Sequence, residues 1–146
     1  MTREELTANV PSILRKKGLS YRGFADKIGM SPVYATAALL GQMALTKEKA
    51  DKAANVLGVN EAADLLAQIP YRGSLPTAVP TDPLIYRFYE MVQVYGTTFK
   101  ALIEEEFGDG IMSAIDYDMA IERLPDPNGD RVKVTMTGKF LKYKKY

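Results

Sequence analysis

The chain has 146 residues, 47% of them hydrophobic and 25% charged, with a formal net charge of +1. That is the composition of a soluble globular protein of one medium domain or two small ones. It contains neither Cys nor His, which removes disulfides, thiolate nucleophiles, Cys-ligated metals and the usual general base near neutral pH, and leaves catalysis to carboxylates, Arg, Lys, Tyr, Ser or Thr.

From the N-terminus, Met1-Thr2-Arg3-Glu4-Glu5 carries two acids and no apolar stretch behind them, unlike a signal peptide. No apolar run approaches the roughly 18–20 residues that span a bilayer, so the cytoplasm is the default expectation. Thr2-x-x-Glu5 is a capping box and predicts a helix to about Lys17, stopped by Gly18, with a kink or restart at Pro11. Ser20 caps a second helix over 21–28, ended by Gly29. Ser31-Pro32 opens a third, which runs to Leu40. Thr46 caps a fourth over 47–57 before Gly58, and Asn60 a fifth over 61–69, ended by Pro70. Residues 1–70 thus predict a compact all-helical bundle. Residues 71–82, rich in Pro, read as an extended linker.

Residues 83–146 read as α+β. Asp82-Pro83 opens a helix that should run to Tyr95 and stop at Gly96. Thr97 or Thr98 caps another to about Phe107. Ala120 to Leu124 and Val132 to Met136 read as strands, the second alternating as a half-buried strand does. Asp126-Pro-Asn-Gly-Asp130 is the turn between them. Two helices and a hairpin make a thin core. Two outcomes follow: the hairpin folds onto its own helices, or this half is completed by partner subunits. The run Glu104-Glu105-Glu106 reads as a solvated helix face.

Residues 20–58 resemble the repressor-type helix-turn-helix bundle in Ser20-Tyr21, Ala25, Gly29-Met30-Ser31, Leu40-Gly41 and the helix from Lys47 to Leu57. The alternative function is therefore a DNA-binding transcriptional regulator. Its reading helix would be Pro32-Val-Tyr-Ala-Thr-Ala-Ala-Leu-Leu40, which carries no charge and no amide. Base edges are read chiefly by Arg, Lys, Asn, Gln and acids. Residues 1–70 hold nine Lys/Arg against seven Asp/Glu, and residues 71–146 hold ten against eleven, little excess for phosphate contacts. The residue chemistry argues against nucleic acid and for a scaffold or assembly element.

The residues that bear on chemistry lie downstream. Arg87 and Glu90, three apart, share one helix face. One reading is a surface ion pair of little energetic weight. The other starts from their neighbours Tyr86, Phe88, Tyr89, Met91, Val92, Val94 and Tyr95, which make the helix apolar nearly all round and predict its burial. A buried Arg and Glu would need each other and further partners, and an anion is one candidate partner. Ser113, in Gly110-Ile-Met-Ser-Ala-Ile115, is either a small buried residue bonded to backbone or a neutral donor to an anion. Without His it is no hydrolase nucleophile.

Two long blocks, Pro80-Thr-Asp-Pro-Leu-Ile-Tyr-Arg-Phe-Tyr-Glu-Met-Val-Gln-Val-Tyr-Gly-Thr-Thr-Phe-Lys-Ala-Leu102 and Phe107-Gly-Asp-Gly-Ile-Met-Ser-Ala-Ile115, are similar to the cyanase (cyanate hydratase) family. Asp126-Pro127, Gly129, Arg131-Val132 and Gly138-Lys139 extend the match, as does 35–45 upstream. Met112 and the tail 142–146 depart from the commoner pattern. The resemblance implies cleavage of cyanate with bicarbonate as co-substrate and no cofactor or metal. It places Arg87, Glu90 and Ser113 at the catalytic positions, and leaves open whether Glu90 orients Arg87 or relays protons. It implies a C-terminal domain that dimerises by intertwining, a homodecamer built from dimers, and sites at subunit interfaces.

Overall fold

The computed structural model describes residues 1–145. The chain divides into two units, Met1–Ser74 and Leu75 onward.

The first unit holds five helices: α1 (Arg3–Lys16), α2 (Tyr21–Ile28), α3 (Pro32–Leu39), α4 (Lys47–Leu57) and α5 (Ala62–Ala67). Local capping fixes most of their ends. The Thr2 side chain accepts from the Glu5 N–H, and Glu5 returns the bond to the Thr2 N–H, so the capping box is complete. Ser20, Ser31 and Thr46 each accept from the N–H three residues on. Gly29 and Gly58 close α2 and α4 in the left-handed conformation, which glycine adopts at no steric cost. α1 departs from expectation, because it runs through Pro11 without a restart. Leu6, Val10 and Leu14 form its buried stripe while Pro11 lies on the exposed side, so water can serve the carbonyl that proline leaves without a partner. α5 is also shorter than 61–69, and Asn60 does not cap it. Glu61 occupies the cap position without a side-chain bond, and the turn before it is closed by backbone, Ala62 N–H to Val59 O at 3.0 Å.

The core of this unit joins Leu6, Val10, Leu14, Phe24, Ile28, Leu39, Leu45, Leu57 and Leu66 with seven alanines of α2, α3, α4 and α5. Alanine at these contacts lets the helix axes approach closely. Truncating one of the fully buried leucines to Ala would cost about 2–5 kcal/mol. Arg3 ties the ends together: its guanidinium donates to the carbonyls of Leu65, Ala38 (2.8 Å) and Met43 (3.0 Å). Burial pulls its pKa down, while Glu4 acts in the opposite sense. Lys49 Nζ likewise caps the end of α2 through the carbonyls of Ile28 (2.8 Å) and Gly29 (2.9 Å).

The second unit consists of α6 (Pro83–Phe107), β1 (Gly110–Leu124) and β2 (Arg131–Lys142), with β1 and β2 paired antiparallel. Asp82 caps α6 by accepting from the N–H groups of Leu84 (2.9 Å) and Ile85 (3.0 Å). Where the sequence predicts two helices divided at Gly96, there is one of 25 residues. A mid-helix glycine costs only about 1 kcal/mol relative to Ala, and neither Thr97 nor Thr98 takes a cap role. Both strands are longer than their predicted cores, β1 beginning at Gly110 and β2 ending at Lys142. The turn is as the sequence indicates. Asp126 Oδ1 accepts from Asn128 N–H at 2.8 Å, Arg131 Nε donates to Asp126 Oδ2 at 3.0 Å, and Gly129 takes φ 122°. The Asn128 N–H, with Arg131, holds the Asp126 carboxyl below its ordinary range.

This unit has no apolar core within the chain. Every buried hydrophobic of the described residues belongs to the first unit. The expectation that the helix over 83–95 is buried fails in the single chain: α6 has no buried residue, and Leu84, Phe88, Val92, Tyr95, Phe99 and Leu102 are exposed. The hairpin does not fold over it. Their link is at the base, where Phe107 and Phe140 stack with centroids 5.0 Å apart and Tyr143 N–H donates to Asp109 O at 3.2 Å.

Candidate active site

α6 carries Arg87 and Glu90 on one face, and the guanidinium NH1 lies 3.7 Å from Glu90 Oε2. That is an ion pair without a hydrogen bond. Arg87 also lies 5.9 Å from the centroid of the Tyr86 ring, which stacks at 5.9 Å on Tyr89. The side chains are 62% and 49% exposed, so the burial expected of the pair is absent. Among the described residues of this unit, none covers the apolar surface around them. Most of the Arg87 donor set is consequently open to a ligand. Further along α6, Glu104 pairs with Lys100 on the surface.

Ser113 is built differently. Pairing runs from Gly110↔Lys142 to Met112↔Phe140, then resumes at Tyr117↔Gly138. Residues 113–116 of β1 therefore bulge against Lys139 alone, a wide irregularity of the kind that re-aims side chains. Ser113 lies at its start and is 5% exposed, the one buried polar residue of the described chain. Its Oγ accepts from the N–H groups of Ile115 (3.0 Å) and Asp116 (2.9 Å). A hydroxyl has two acceptor sites and one donor. With both acceptor sites filled, the O–H of Ser113 can only donate. Ile115, at the tip of the bulge, is 98% exposed. From the end of the bulge onward, Asp116, Tyr117, Asp118, Thr137, Gly138 and Lys139 line an open depression. Burial, then the neighbouring Asp118, pushes the Tyr117 phenol up from its usual pKa.

Arg87 and Glu90 are thus together, while Ser113 makes no hydrogen bond to either within one chain. Sequence reasoning missed the two amides that commit Ser113 to donating, and Gly138 across the bulge. The available signal was a glycine inside a strand, which marks a bulge or a close backbone approach. Met112 pairs with Phe140 and lies directly before the bulge. Of the tail, Tyr146 lies outside the described residues.

In the reading helix of the regulator alternative, the hydroxyls of Ser31 and Tyr34 are occupied internally. Ser31 caps α3, Tyr34 OH donates to Ala44 O at 3.0 Å, and Ala35, Ala38 and Leu39 are buried. Gln42, just beyond, accepts from Gly73 N–H and donates to Leu40 O.

A helical bundle, then a long helix and a bulged hairpin that present an Arg, a Glu and a donor Ser, define an α+β class of protein. Comparison with known proteins makes the assignment specific. The family described as "Cyanate hydratase, N-terminal" matches residues 3–70, and "Cyanate lyase C-terminal domain" matches 77–145. The chain is 58% identical to "Cyanate hydratase" of Ralstonia pickettii (strain 12J) and 57% identical to that of Dechloromonas aromatica (strain RCB), each over the full length of both chains. It is also similar to the crystal structure of cyanase from T. urticae, with a TM-score of 0.82 and 38% identity over 92% of this chain and 95% of that one. The chain belongs to the cyanate hydratase (cyanase) family of carbon–nitrogen lyases.

Proposed function

We propose that this chain decomposes cyanate with bicarbonate as co-substrate. The observation that carries the reading is the Ser113 hydroxyl, committed to donation by two backbone amides, in a member of the cyanate hydratase family. Cyanate and bicarbonate are both small anions, and the catalytic problem is to hold them together and stabilise the charge that develops. A bicarbonate oxygen attacks the cyanate carbon, and proton uptake on nitrogen gives a carboxylated carbamate. Loss of carbon dioxide leaves carbamate, which takes up a further proton and separates into ammonia and a second carbon dioxide. No electrons are exchanged, so the chemistry calls for no redox cofactor. Arg87 supplies permanently charged, planar donors for the anions. Ser113 supplies a neutral donor. Glu90, 3.7 Å from the guanidinium, either orients Arg87 or relays protons.

The proposal includes a homo-oligomer, a decamer built from dimers, acting in the cytoplasm. One exposed Arg87 is too little positive charge for two anions, and a solvent-facing site would not strengthen its own electrostatics. The uncovered α6 supports closure by a second copy. No helix among the described residues is long and apolar enough to cross a membrane.

The test is ammonia release from cyanate by purified, chelator-treated protein, with and without bicarbonate. The rate should survive the chelator and vanish without bicarbonate. Ammonia release indifferent to bicarbonate would mean simple hydrolysis and sink the mechanism.

A further inference from the structure

We infer that Gly138 is a positioning residue for Ser113: its missing side chain leaves the space in which the 113–116 bulge sits. The inference rests on the proposed role of Ser113. Gly138 faces Tyr117, the first residue paired after the bulge. A Cβ built on it would fall on the Ser113 carbonyl oxygen and lie 2.6 Å from Met112 Cγ. The first collision is with backbone, so no rotamer change relieves it. The carbonyl belongs to the residue whose Oγ must remain 3.0 and 2.9 Å from the amides of Ile115 and Asp116. A methyl group at 138 therefore displaces Ser113 before it disturbs anything else on the site side of the hairpin. Gly110, at the far end of the same ladder, meets the Leu141 carbonyl and the Phe140 ring instead, so its space serves the pairing of the strands and not Ser113.

The experiment is a double-mutant cycle on the full-length protein, with kcat, KM, assembled mass and amide exchange at Ile115 and Asp116 as readouts. Gly138→Ala should lower kcat at least about tenfold with little change in KM, and expose both amides to exchange while the mass is kept. In a Ser113→Ala background, assayed at high enzyme concentration, the same substitution should cost nothing further, as expected of two residues acting as one unit. Equal losses in both backgrounds, or a lower kcat with both amides still protected, would overturn the inference. A fully active Ser113→Ala protein would instead remove the proposed role of Ser113, a failure read without Gly138. Should Gly138→Ala not assemble, Met112→Ala/Gly138→Ala relieves the side-chain half of the collision and is compared with Met112→Ala alone. Failure of that protein as well would assign Gly138 to the fold and overturn the proposal.

Discussion

Replacing Ser113 by Ala separates two roles that one hydroxyl performs. As an acceptor it satisfies the Ile115 and Asp116 amides at 3.0 and 2.9 Å, in a residue only 5% exposed. A net contribution of about 1 kcal/mol per hydrogen bond gives a local loss of about 2 kcal/mol. It should appear as faster amide exchange at those two residues, while the 117–124 ladder keeps its protection. As a donor, the hydroxyl meets charge that develops on the reacting anions. Removing one such donor costs roughly tenfold at the least, above about 1.4 kcal/mol of barrier, and about 10²–10³ where the donor faces a fully formed oxyanion. Ammonia release should therefore fall by that amount under conditions where the assembled mass of the variant matches the wild type. A protein with exposed amides and an undiminished rate would refute the argument. Ser113 would then be an acceptor that shapes the bulge, and the anion donor would have to lie elsewhere.

Arg87→Lys should lose most activity with the fold retained, because a point charge cannot replace the planar fork; full activity by the ammonia assay would show that charge alone suffices. Arg87→Ala and Ser113→Ala proteins, dissociated together in mild denaturant and reassembled, should recover a fraction of wild-type activity in mixed oligomers verified by mass. Mixed oligomers no better than either parent would mean that both residues serve a site within one chain, or that a site needs two intact copies of each.

The first unit was legible because its signals are local. Thr2-x-x-Glu5, Ser20, Ser31-Pro32, Thr46, Gly29 and Gly58 each act within one turn of where they stand, and a cap needs no knowledge of the rest of the chain. Errors arose where a weak local penalty met a longer-range demand. Pro11 and Gly96 each lose some stability in a helix, but α1 and α6 run on through them. Asn60 offered a cap that the backbone turn before α5 made unnecessary. The first half of β1 escaped for another reason. Ile111-Met-Ser-Ala-Ile115 does not alternate, because the bulge at 113–116 breaks the period of two on which strand reading depends. The candidate residues could be named from the sequence, Arg87 and Glu90 by their apolar neighbours on one helix, and all three as catalytic positions by resemblance alone. The geometry of the site was not legible, because Ser113 is oriented by amides and by an absent side chain at 138. The exposure of Arg87 was also misjudged, since an apolar helix implies a cover but not that its own chain provides it.

The position of Arg87 relative to that missing cover links assembly to chemistry. Leu84, Phe88, Met91, Tyr95, Phe99 and Leu102 recur at spacings of three and four, which places them in one stripe along α6. All six are exposed in the single chain. Arg87 directly precedes Phe88 and lies three residues after Leu84, on the flank of the stripe, with Glu90 one step further round. A surface that buries the stripe must therefore pass over the stem of Arg87 and restrict water at its guanidinium, which otherwise stays 62% exposed. Such a change strengthens the attraction of the guanidinium for an anion by lowering the effective dielectric. It also holds Glu90 beside it, because a charge partly removed from water needs a partner. Under the proposed function, the hydrophobic burial that completes the second unit and the electrostatics that bind the anions would then be one event. On the proposed reading, a unit that lacks a core of its own would gain its site and its stability from the same contact.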